Sequence, residues 1–465
     1  MPKTLFDKLW DSHVVKDLGD GWALLHIDRQ LLHDLSGGPA LADIARRGIA
    51  VHNPELAFAT PDHAVSSAPD RTGTTFAGGA ALYEQLKRRT AEAHIRFFDV
   101  GRIGQGIVHV TGPEQGIVLP GLSVVCGDSH TCTNGGLGAL AFGIGSSECN
   151  HVLATQTLRQ RKPKRMRINV EGRLGFQVTA KDLILHTIGV MGAAAGTGYA
   201  IEFAGPVIRQ LDVESRLTLC NLAVELGARF GLVAPDARTF AYLRDRPYAP
   251  QGADFDAAME YWSRLTSDPG SVFDAEVTID ATHIVPTVTW GTSPEHAIPI
   301  DGRVPDPARA GSDAARAALA DALAYMGLEP GQPIEGLRID RVFIGSCANS
   351  RLSDLRDAAR FVRGRKVASG VTAWVVPGSV LVKNMAEDEG LDRIFIDAGF
   401  EWRQPGCSMC VGANGEIVAP GARCLSTSNR NFVGRQGPGA RTHLASPAMA
   451  AAAAIAGAII DIRRL

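Results

Sequence analysis

Short apolar runs alternate with helical patterns along this chain of 465 residues. The patterns predict buried strands over residues 121–126, 341–345 and 372–376, and helices over 315–328 and 353–362. Strands that alternate with helices form parallel sheets covered by helices, so the fold class is α/β. In such folds, we expect functional side chains on the loops that follow the carboxyl ends of strands.

The chain is longer than one hydrophobic core usually supports, so we expect more than one domain. A basic stretch at residues 159–167 is interpreted as a solvated linker that ends a first unit. A stretch at 283–298, with prolines and turn residues, ends a second. Together they predict three α/β domains over residues 1–165, 166–285 and 286–465.

Composition excludes several classes of protein. The net charge of −2 and the pI of about 6.7 disfavour a nucleic-acid partner. The first residues contain no apolar signal segment, and the alanine-rich run at 446–460 is shorter than the roughly 20 residues that span a bilayer. We therefore expect a cytoplasmic protein with no membrane contact, and a buried helix at 446–460. In that reducing compartment, eight cysteines favour metal binding or chemistry over disulfides.

Three cysteines have the arrangement of a metal site. Cys407 and Cys410 form a C-x-x-C turn, and Cys347 follows a predicted strand. A [4Fe–4S] cluster held by three cysteines would leave one iron without a protein thiolate, open to act as a Lewis acid. The C-x-x-C turn alone is explained equally well by a redox dithiol or a zinc site. The remaining cysteines are most simply small buried hydrophobic residues: Cys126, Cys132, Cys149, Cys220 and Cys424.

Longer motifs give these cysteines a family context. Residues 345–351 (Gly-Ser-Cys-Ala-Asn-Ser-Arg) and 406–410 (Gly-Cys-Ser-Met-Cys) resemble the cluster-ligand motifs of the aconitase superfamily of hydro-lyases. Further motifs occur in the family's order. Three lie upstream, at residues 59–63, 106–109 and 126–131, and one lies downstream, at residues 426–437. The resemblance covers essentially the whole chain. Residues 3–8 and 446–449 are most similar to the branch that acts on isopropylmalate.

The resemblance implies three aconitase-type α/β domains around a central cluster cleft, with parallel or mixed sheets flanked by helices. The family also has a fourth, mobile swivel domain, in which the serine of a Gly-Ser-Ser-Arg-Glu motif is the catalytic base. The nearest wording here is Gly-Ser-Ser-Glu at residues 145–148, which lacks the arginine. We therefore expect a separate small subunit to carry the swivel domain and supply the catalytic serine.

The implied reaction removes water from a 2-hydroxy acid and adds it back with the hydroxyl moved by one carbon. The expected substrates are 2-isopropylmalate and 3-isopropylmalate, interconverted through isopropylmaleate in leucine biosynthesis. A related two-subunit hydro-lyase for citraconate/2-methylmalate or dimethylmalate is the alternative, because the small subunit is expected to line the alkyl pocket. A zinc- or RNA-binding relative without a cluster is disfavoured by the near-neutral charge.

The resemblance also implies roles for single residues. The metal ligands would be Cys347, Cys407 and Cys410, and the residues that contact the cluster would be Asn221, Asn349 and Asn429. The substrate would be bound by Ser129, Arg430, Arg435 and His33. An arginine suits a carboxylate because its planar fork donates two parallel hydrogen bonds. For His33, a structural role is an equal alternative.

The implied catalytic residues pair histidines with carboxylates. We expect the pairs Asp62 with His63, His109 with Asp128, and His130 with Glu225. A carboxylate fixes the orientation of an imidazole and raises its basicity, so that the ring can give a proton to departing hydroxide. Asn221 and Glu225 lie four residues apart, and we expect them to share a helix face.

Overall fold

The computed structural model describes residues 1–465. Its strands are β1 (Val14–Gly19), β2 (Trp22–His26), β3 (Arg29–Leu32), β4 (Ala57–Ala59), β5 (Arg96–Phe97), β6 (Ser123–Cys126), β7 (Leu140–Gly143), β8 (Thr157–Arg161), β9 (Lys164–Glu171), β10 (Tyr199–Ala204), β11 (Phe230–Leu232), β12 (Ala275–Asp280), β13 (Thr287–Thr289), β14 (Ala297–Pro299), β15 (Arg341–Ile344), β16 (Thr372–Val375), β17 (Glu401–Trp402), β18 (Arg423–Ser426) and β19 (Arg441–Leu444). Its α-helices are α1 (Leu5–His13), α2 (Gly37–Arg46), α3 (Ala77–Glu92), α4 (Val108–Glu114), α5 (Ser146–Thr155), α6 (Ala180–Met191), α7 (Pro206–Gln210), α8 (Val213–Asn221), α9 (Ala237–Leu243), α10 (Ala253–Trp262), α11 (Asp313–Met326), α12 (Leu352–Val362), α13 (Val380–Asp388), α14 (Leu391–Ala398) and α15 (Pro447–Ala456).

These elements form two compact units that are interleaved along the chain. Unit 1 comprises Met1–Val65, Thr72–Gly172 and Ala194–Ile279. Unit 2 comprises Ser66–Arg71, Arg173–Ala193 and Asp280–Leu465. The division into three domains stays a prediction.

Unit 1 is built around a five-stranded parallel sheet with the order β5-β4-β3-β6-β7. All four residues of β6 are buried, as expected for a central strand covered on both faces. A second sheet, β11-β10-β9-β12, is parallel from β9 through β11, and β1-β2-β8 forms a small antiparallel sheet. Because β4, β3 and β6 are adjacent and parallel, the loops after them all begin at the same side of the sheet, where the strands have their carboxyl ends.

Unit 2 contains a five-stranded parallel sheet with the order β17-β16-β15-β18-β19 and a hairpin formed by β13 and β14. The central strand β15 packs against α15, which also packs against α12. Helix α15 begins after Ser446, whose hydroxyl accepts the N–H of Met449, and its run of small alanines is buried. The loops after β15 and β18 therefore start side by side.

The α/β fold class with parallel sheets is confirmed, and the predicted strands and the helices over 315–328 and 353–362 are confirmed to within about two residues. The predicted buried helix at 446–460 is also present, but it ends four residues early, at Ala456. The interpretation of residues 159–167 as a solvated linker was wrong, because they lie in β8 and β9. In β9 the buried Met166 and Ile168 alternate with arginines, and Arg165 and Arg167 pair with Asp274 and Glu276. None of the helices is both long and apolar enough to cross a lipid bilayer.

Candidate active site

The predicted catalytic residues of unit 1 follow neighbouring strands of its parallel sheet. His33 follows β3, the Asp62-His63 pair follows β4, and the segment from Asp128 to His130 follows β6. His109 comes from the first turn of α4. The shared carboxyl end of the sheet brings the four histidines and Asp62 into one buried cluster, with the half-buried Asp128 among them.

The carboxylate of Asp128 is the centre of this cluster. Its oxygens lie 3.3 Å from His63 Nε2, 3.7 Å from His109 Nε2 and 3.3 Å from His130 Nδ1. Burial alone would raise the pKa of Asp128, but the neighbouring imidazoles of His109, His130 and His63 outweigh it and hold that pKa well below its usual range. Asp128 is therefore an anion shared by three imidazoles, of which the sequence predicted one.

Asp62 fixes two of these histidines. Its Oδ1 accepts a hydrogen bond from His63 Nδ1 at 2.5 Å, and its Oδ2 accepts the N–H of Val108 at 3.0 Å, at the start of α4. Burial opposes ionisation of Asp62, but the charge of His63 and its hydrogen bond lower the pKa below the usual range. The same carboxylate thus orients His63 directly and anchors the helix turn that carries His109.

His130 lies between two carboxylates, because its Nε2 is 3.0 Å from Glu225 Oε1 and its Nδ1 faces Asp128. The expected helix face shared by Asn221 and Glu225 was wrong: α8 ends at Asn221, and Glu225 lies in the following 3-10 turn, Leu222–Leu226. The side chain of Asn221 donates to Thr133 Oγ1 at 2.7 Å.

His33 and Ser129 have contrasting surroundings. His33 is buried, and its Nδ1 accepts the N–H of Leu35 at 3.3 Å while its Nε2 lies 3.1 Å from Ser36 Oγ. Its ring centroid is also 4.5 Å from that of His63, so it belongs to the histidine cluster while retaining local partners. Ser129 is exposed.

One neighbour of the cluster was not predicted. Asn134 Nδ2 lies 3.5 Å from His109 Nδ1 and donates to Thr131 O at 3.0 Å. The only sequence signal was its place six residues after Asp128 in the same motif segment.

The three predicted metal ligands lie in unit 2, on loops after β15 and β17, and each is only 5–6% exposed. The side chain of Asn429, on the loop after β18, joins two of them. Its Nδ2 donates to Cys347 Sγ at 3.3 Å, and its Oδ1 lies 3.5 Å from Cys410 Sγ. Cys407 belongs to the same turn as Cys410, whose N–H donates to the Cys407 carbonyl at 3.0 Å.

Two serines beside these cysteines have left-handed backbone conformations. Ser346 precedes Cys347 with φ of +83°, and Ser408 follows Cys407 with φ of +48°. Residues other than glycine rarely adopt this region, and such strain persists where surrounding contacts hold it.

A carboxylate that the sequence did not single out holds Ser408. Glu416 accepts hydrogen bonds from the hydroxyls of Ser408 and Ser67, both at 2.6 Å, and from Arg403 at 3.1 Å. Burial alone would raise the pKa of Glu416, but the serines and Arg403 keep it below its usual range. The guanidinium of Arg403 also lies 3.5 Å from the centroid of Trp374. No local pattern could have revealed this network, because Ser67 and Glu416 are 349 residues apart.

The donor set fits a cluster bound by three thiolates. Burial raises the pKa of the Cys149 and Cys424 thiols to about 12 and that of the Cys126 and Cys220 thiols well above the usual value, so these four stay protonated. No two cysteines form a disulfide. Iron–sulfur clusters are held mainly by cysteine thiolates, so these four protonated thiols are poor candidates for ligands.

Arg430 and Arg435 flank an exposed turn. The guanidinium of Arg430 lies 5.9 Å from the ring centroid of Phe432. Arg435 is half-buried, forms no ion pair, and has a buried Nε without a hydrogen-bond partner. Asn431 fixes the loop by donating to Gly291 O at 2.6 Å. The unsatisfied guanidinium of Arg435 suits an anionic ligand.

Asn349 is held on both sides of its amide. Its Nδ2 donates to Asp354 Oδ1 at 2.9 Å, and its Oδ1 accepts a hydrogen bond from Lys181 at 3.1 Å. Lys181 was not predicted, and the only signal was a lone Lys-Asp pair at the start of an otherwise apolar helix.

The chain was compared with protein families, with curated proteins and with solved structures. The model of the family described as "Aconitase family (aconitate hydratase)" matches residues 7–457. A similar protein is 3-isopropylmalate dehydratase large subunit 1 of Bradyrhizobium diazoefficiens, 63% identical over 463 residues that span 100% of this chain and 97% of the relative. Among solved structures, holo aconitase X of Thermococcus kodakaraensis matches with a TM-score of 0.47 and 12% identity, covering 88% of this chain and 84% of that one.

Proposed function

Because the chain belongs to the aconitase family, we propose that it is the large subunit of a hydro-lyase that interconverts 2-isopropylmalate and 3-isopropylmalate through isopropylmaleate in leucine biosynthesis. The observation that carries the reaction type is the set of three imidazoles around the carboxylate of Asp128. The 63% identity to the Bradyrhizobium relative supports the substrate.

We propose that Cys347, Cys407 and Cys410 hold one [4Fe–4S] cluster with one open iron. When bound, this cluster supplies a Lewis acid that polarises the hydroxyl of the substrate. The contact of Asn429 with two of the thiols supports this ligand set, and so does the high pKa of four of the five other thiols. Asn429, Asn349 and Asn221 are the amides that we expect to contact the cluster.

The histidines supply the proton for the departing hydroxide. His63, His109 and His130 each face Asp128, and His63 and His130 each have a second carboxylate behind the ring. This arrangement fixes the rings and keeps a proton available on a nitrogen. His33, whose ring lies tilted beside that of His63, and the exposed Ser129 are proposed to contact the substrate.

The arginines stabilise the charge that grows on the substrate carboxylate as the neighbouring carbon loses its proton. A guanidinium donates two parallel hydrogen bonds to a carboxylate, and its attraction strengthens as charge accumulates. Arg435 has a buried nitrogen that such a ligand would satisfy. We assign this role to Arg435 and Arg430 together.

A second chain completes the proposed enzyme. The Bradyrhizobium relative is named a large subunit, which implies a small one. We propose that the small subunit supplies the catalytic serine and lines the pocket for the alkyl group. The eight cysteines without a disulfide support a reducing cytoplasm as the location.

The test is an anaerobic assay of the reconstituted chain with the small subunit from its own source. Hydration of isopropylmaleate, citraconate and dimethylmaleate is compared, with and without the small subunit. We expect the fastest hydration with isopropylmaleate, and only when both chains are present. Preference for citraconate or dimethylmaleate would favour the alternative substrate, and substantial turnover by the large chain alone would require withdrawal of the two-subunit proposal.

A further inference from the structure

Lys181 has a buried ammonium group with an unusual set of partners. It lies in the first turn of α6 and is 1% exposed. Its Nζ donates to Asn349 Oδ1 at 3.1 Å, Thr427 O at 2.9 Å and Ser428 O at 2.7 Å. These acceptors use all three N–H groups, and all are uncharged. No carboxylate lies within ion-pair distance of the ammonium.

A buried charge without an opposite charge beside it is costly, even when its hydrogen bonds are complete. Burial lowers the pKa of Lys181 to about 8, and the negative groups that oppose this are Asp354 first, then Cys410 and Cys347. Two of the three proposed metal ligands are thus among the groups that lie near this ammonium.

The acceptors of Lys181 lie on two loops beside those thiols, the loop after β15 and the loop after β18. Asn349 lies two residues after Cys347, and Ser428 directly precedes Asn429. Asn429 in turn contacts Cys347 and Cys410. The ammonium therefore ties together the two segments that position the thiols.

We propose that Lys181 is a positioning residue whose buried ammonium is the counter-charge of the thiolate-bound iron–sulfur cluster. This inference rests on the proposed function. Three thiolates give such a cluster a net negative charge. Its attraction for the ammonium then compensates the cost of burying Lys181, whereas the cluster-free chain bears that cost. The charge of Lys181 and the presence of the cluster should therefore stabilise each other.

The experiment measures the thermal midpoint of the cluster-free and the reconstituted chain, for the wild type and for Lys181→Met. Methionine keeps the length of the side chain and removes the charge. We expect the cluster to raise the midpoint less in Lys181→Met than in the wild type. The matched control is Thr187→Val on the same helix, which removes a buried hydroxyl bonded to Leu183 O at 2.8 Å and should lower both midpoints equally.

A second variant separates charge from hydrogen bonding. Lys181→Gln keeps a donor but is neutral, so it should show the same reduced effect of the cluster, and both variants should lower the midpoint potential of the bound cluster. Equal loss of stability with and without the cluster would overturn the proposal, as would failure of both cluster-free variants to fold. If the wild-type chain takes up no iron–sulfur cluster, the proposed function fails first and this inference fails with it.

Discussion

The side-chain amide of Asn429 donates a hydrogen bond to the Sγ of Cys347 at 3.3 Å. The two residues are 82 positions apart and are brought together because β15 and β18 are neighbours in one parallel sheet. The other end of the same amide faces Cys410. This contact is the geometric basis of the proposed ligand set.

Replacing Cys347, Cys407 or Cys410 by serine should remove most of the bound iron and the turnover, because serine is a poor ligand for iron in this setting. Iron per chain after anaerobic reconstitution is the measurement. Cys424→Ser and Cys149→Ser are the matched controls, since burial keeps both thiols protonated, and they should retain the cluster. Full iron and normal turnover in Cys407→Ser would show that the ligand assignment is wrong.

Arg435→Lys should lower kcat/KM by about 10- to 150-fold, since hydrogen bonds to charged groups contribute about 1.5–3 kcal/mol and lysine lacks the planar fork. Arg430→Lys should lower kcat/KM by a similar factor. Steady-state kinetics with 2-isopropylmalate provide the measurement. Arg316→Lys changes an exposed arginine paired with Asp313 and should leave kcat/KM unchanged. Near-normal values in both site variants would remove the arginines from the mechanism.

Glu416→Gln should loosen the turn that carries Cys407 and Cys410, because it weakens the acceptor for Ser408, Ser67 and Arg403. We expect a loss of about 1–3 kcal/mol in the free energy of unfolding and faster release of iron. Glu389→Gln, which alters an exposed ion pair with Arg356, is the control and should cost less than about 1 kcal/mol. Unchanged stability and iron retention in Glu416→Gln would exclude this supporting role.

The stability of the cluster-free chain should fall as the pH drops below 6.5 because of His443. Burial first, and then the charge of Arg423, lower the pKa of His443 to about 3 from its ordinary 6.5. Between these values the unfolded chain binds more protons than the folded one, so stability present above pH 6.5 is lost on acidification. The expected slope is about 1.4 kcal/mol per pH unit.

Denaturant unfolding at pH 7 and pH 5 measures this loss. His443→Asn should show a shallower dependence than the wild type, whereas removal of the exposed His283 should change nothing. An identical dependence in His443→Asn and the wild type would contradict the assignment.

The fold was predictable where local pattern and tertiary packing agree. Strand β15 was predicted within one residue because its apolar run is buried and ends before glycine. The stretch at 159–167 was misinterpreted because its many positive charges indicated a solvated linker. The alternation of apolar and polar residues, which continues through Met166 and Ile168, indicates a strand instead. There the arginines form the half-buried, ion-paired face of a strand.

The candidate site was predictable only where motifs were long. The histidines and cysteines lie in such motifs, and the structure adds that Asp128 faces His63 and His130 as well as His109. Lys181 could not be predicted, because its side-chain partner Asn349 is 168 residues away. Glu416 was also missed, because its network includes Ser67, which is 349 residues away. A single lysine or glutamate in sequence does not indicate whether it is buried or what it contacts.

We propose that three cysteines hold a cluster, and that the open iron of this cluster is required for turnover. The most direct measurement follows iron per chain and isopropylmalate dehydration in the same reconstituted sample, with the small subunit added, through exposure to air and then to ferrous iron with a thiol. We expect air to release iron and stop turnover together, and ferrous iron to restore both. Turnover that is indifferent to air and to chelators would contradict it.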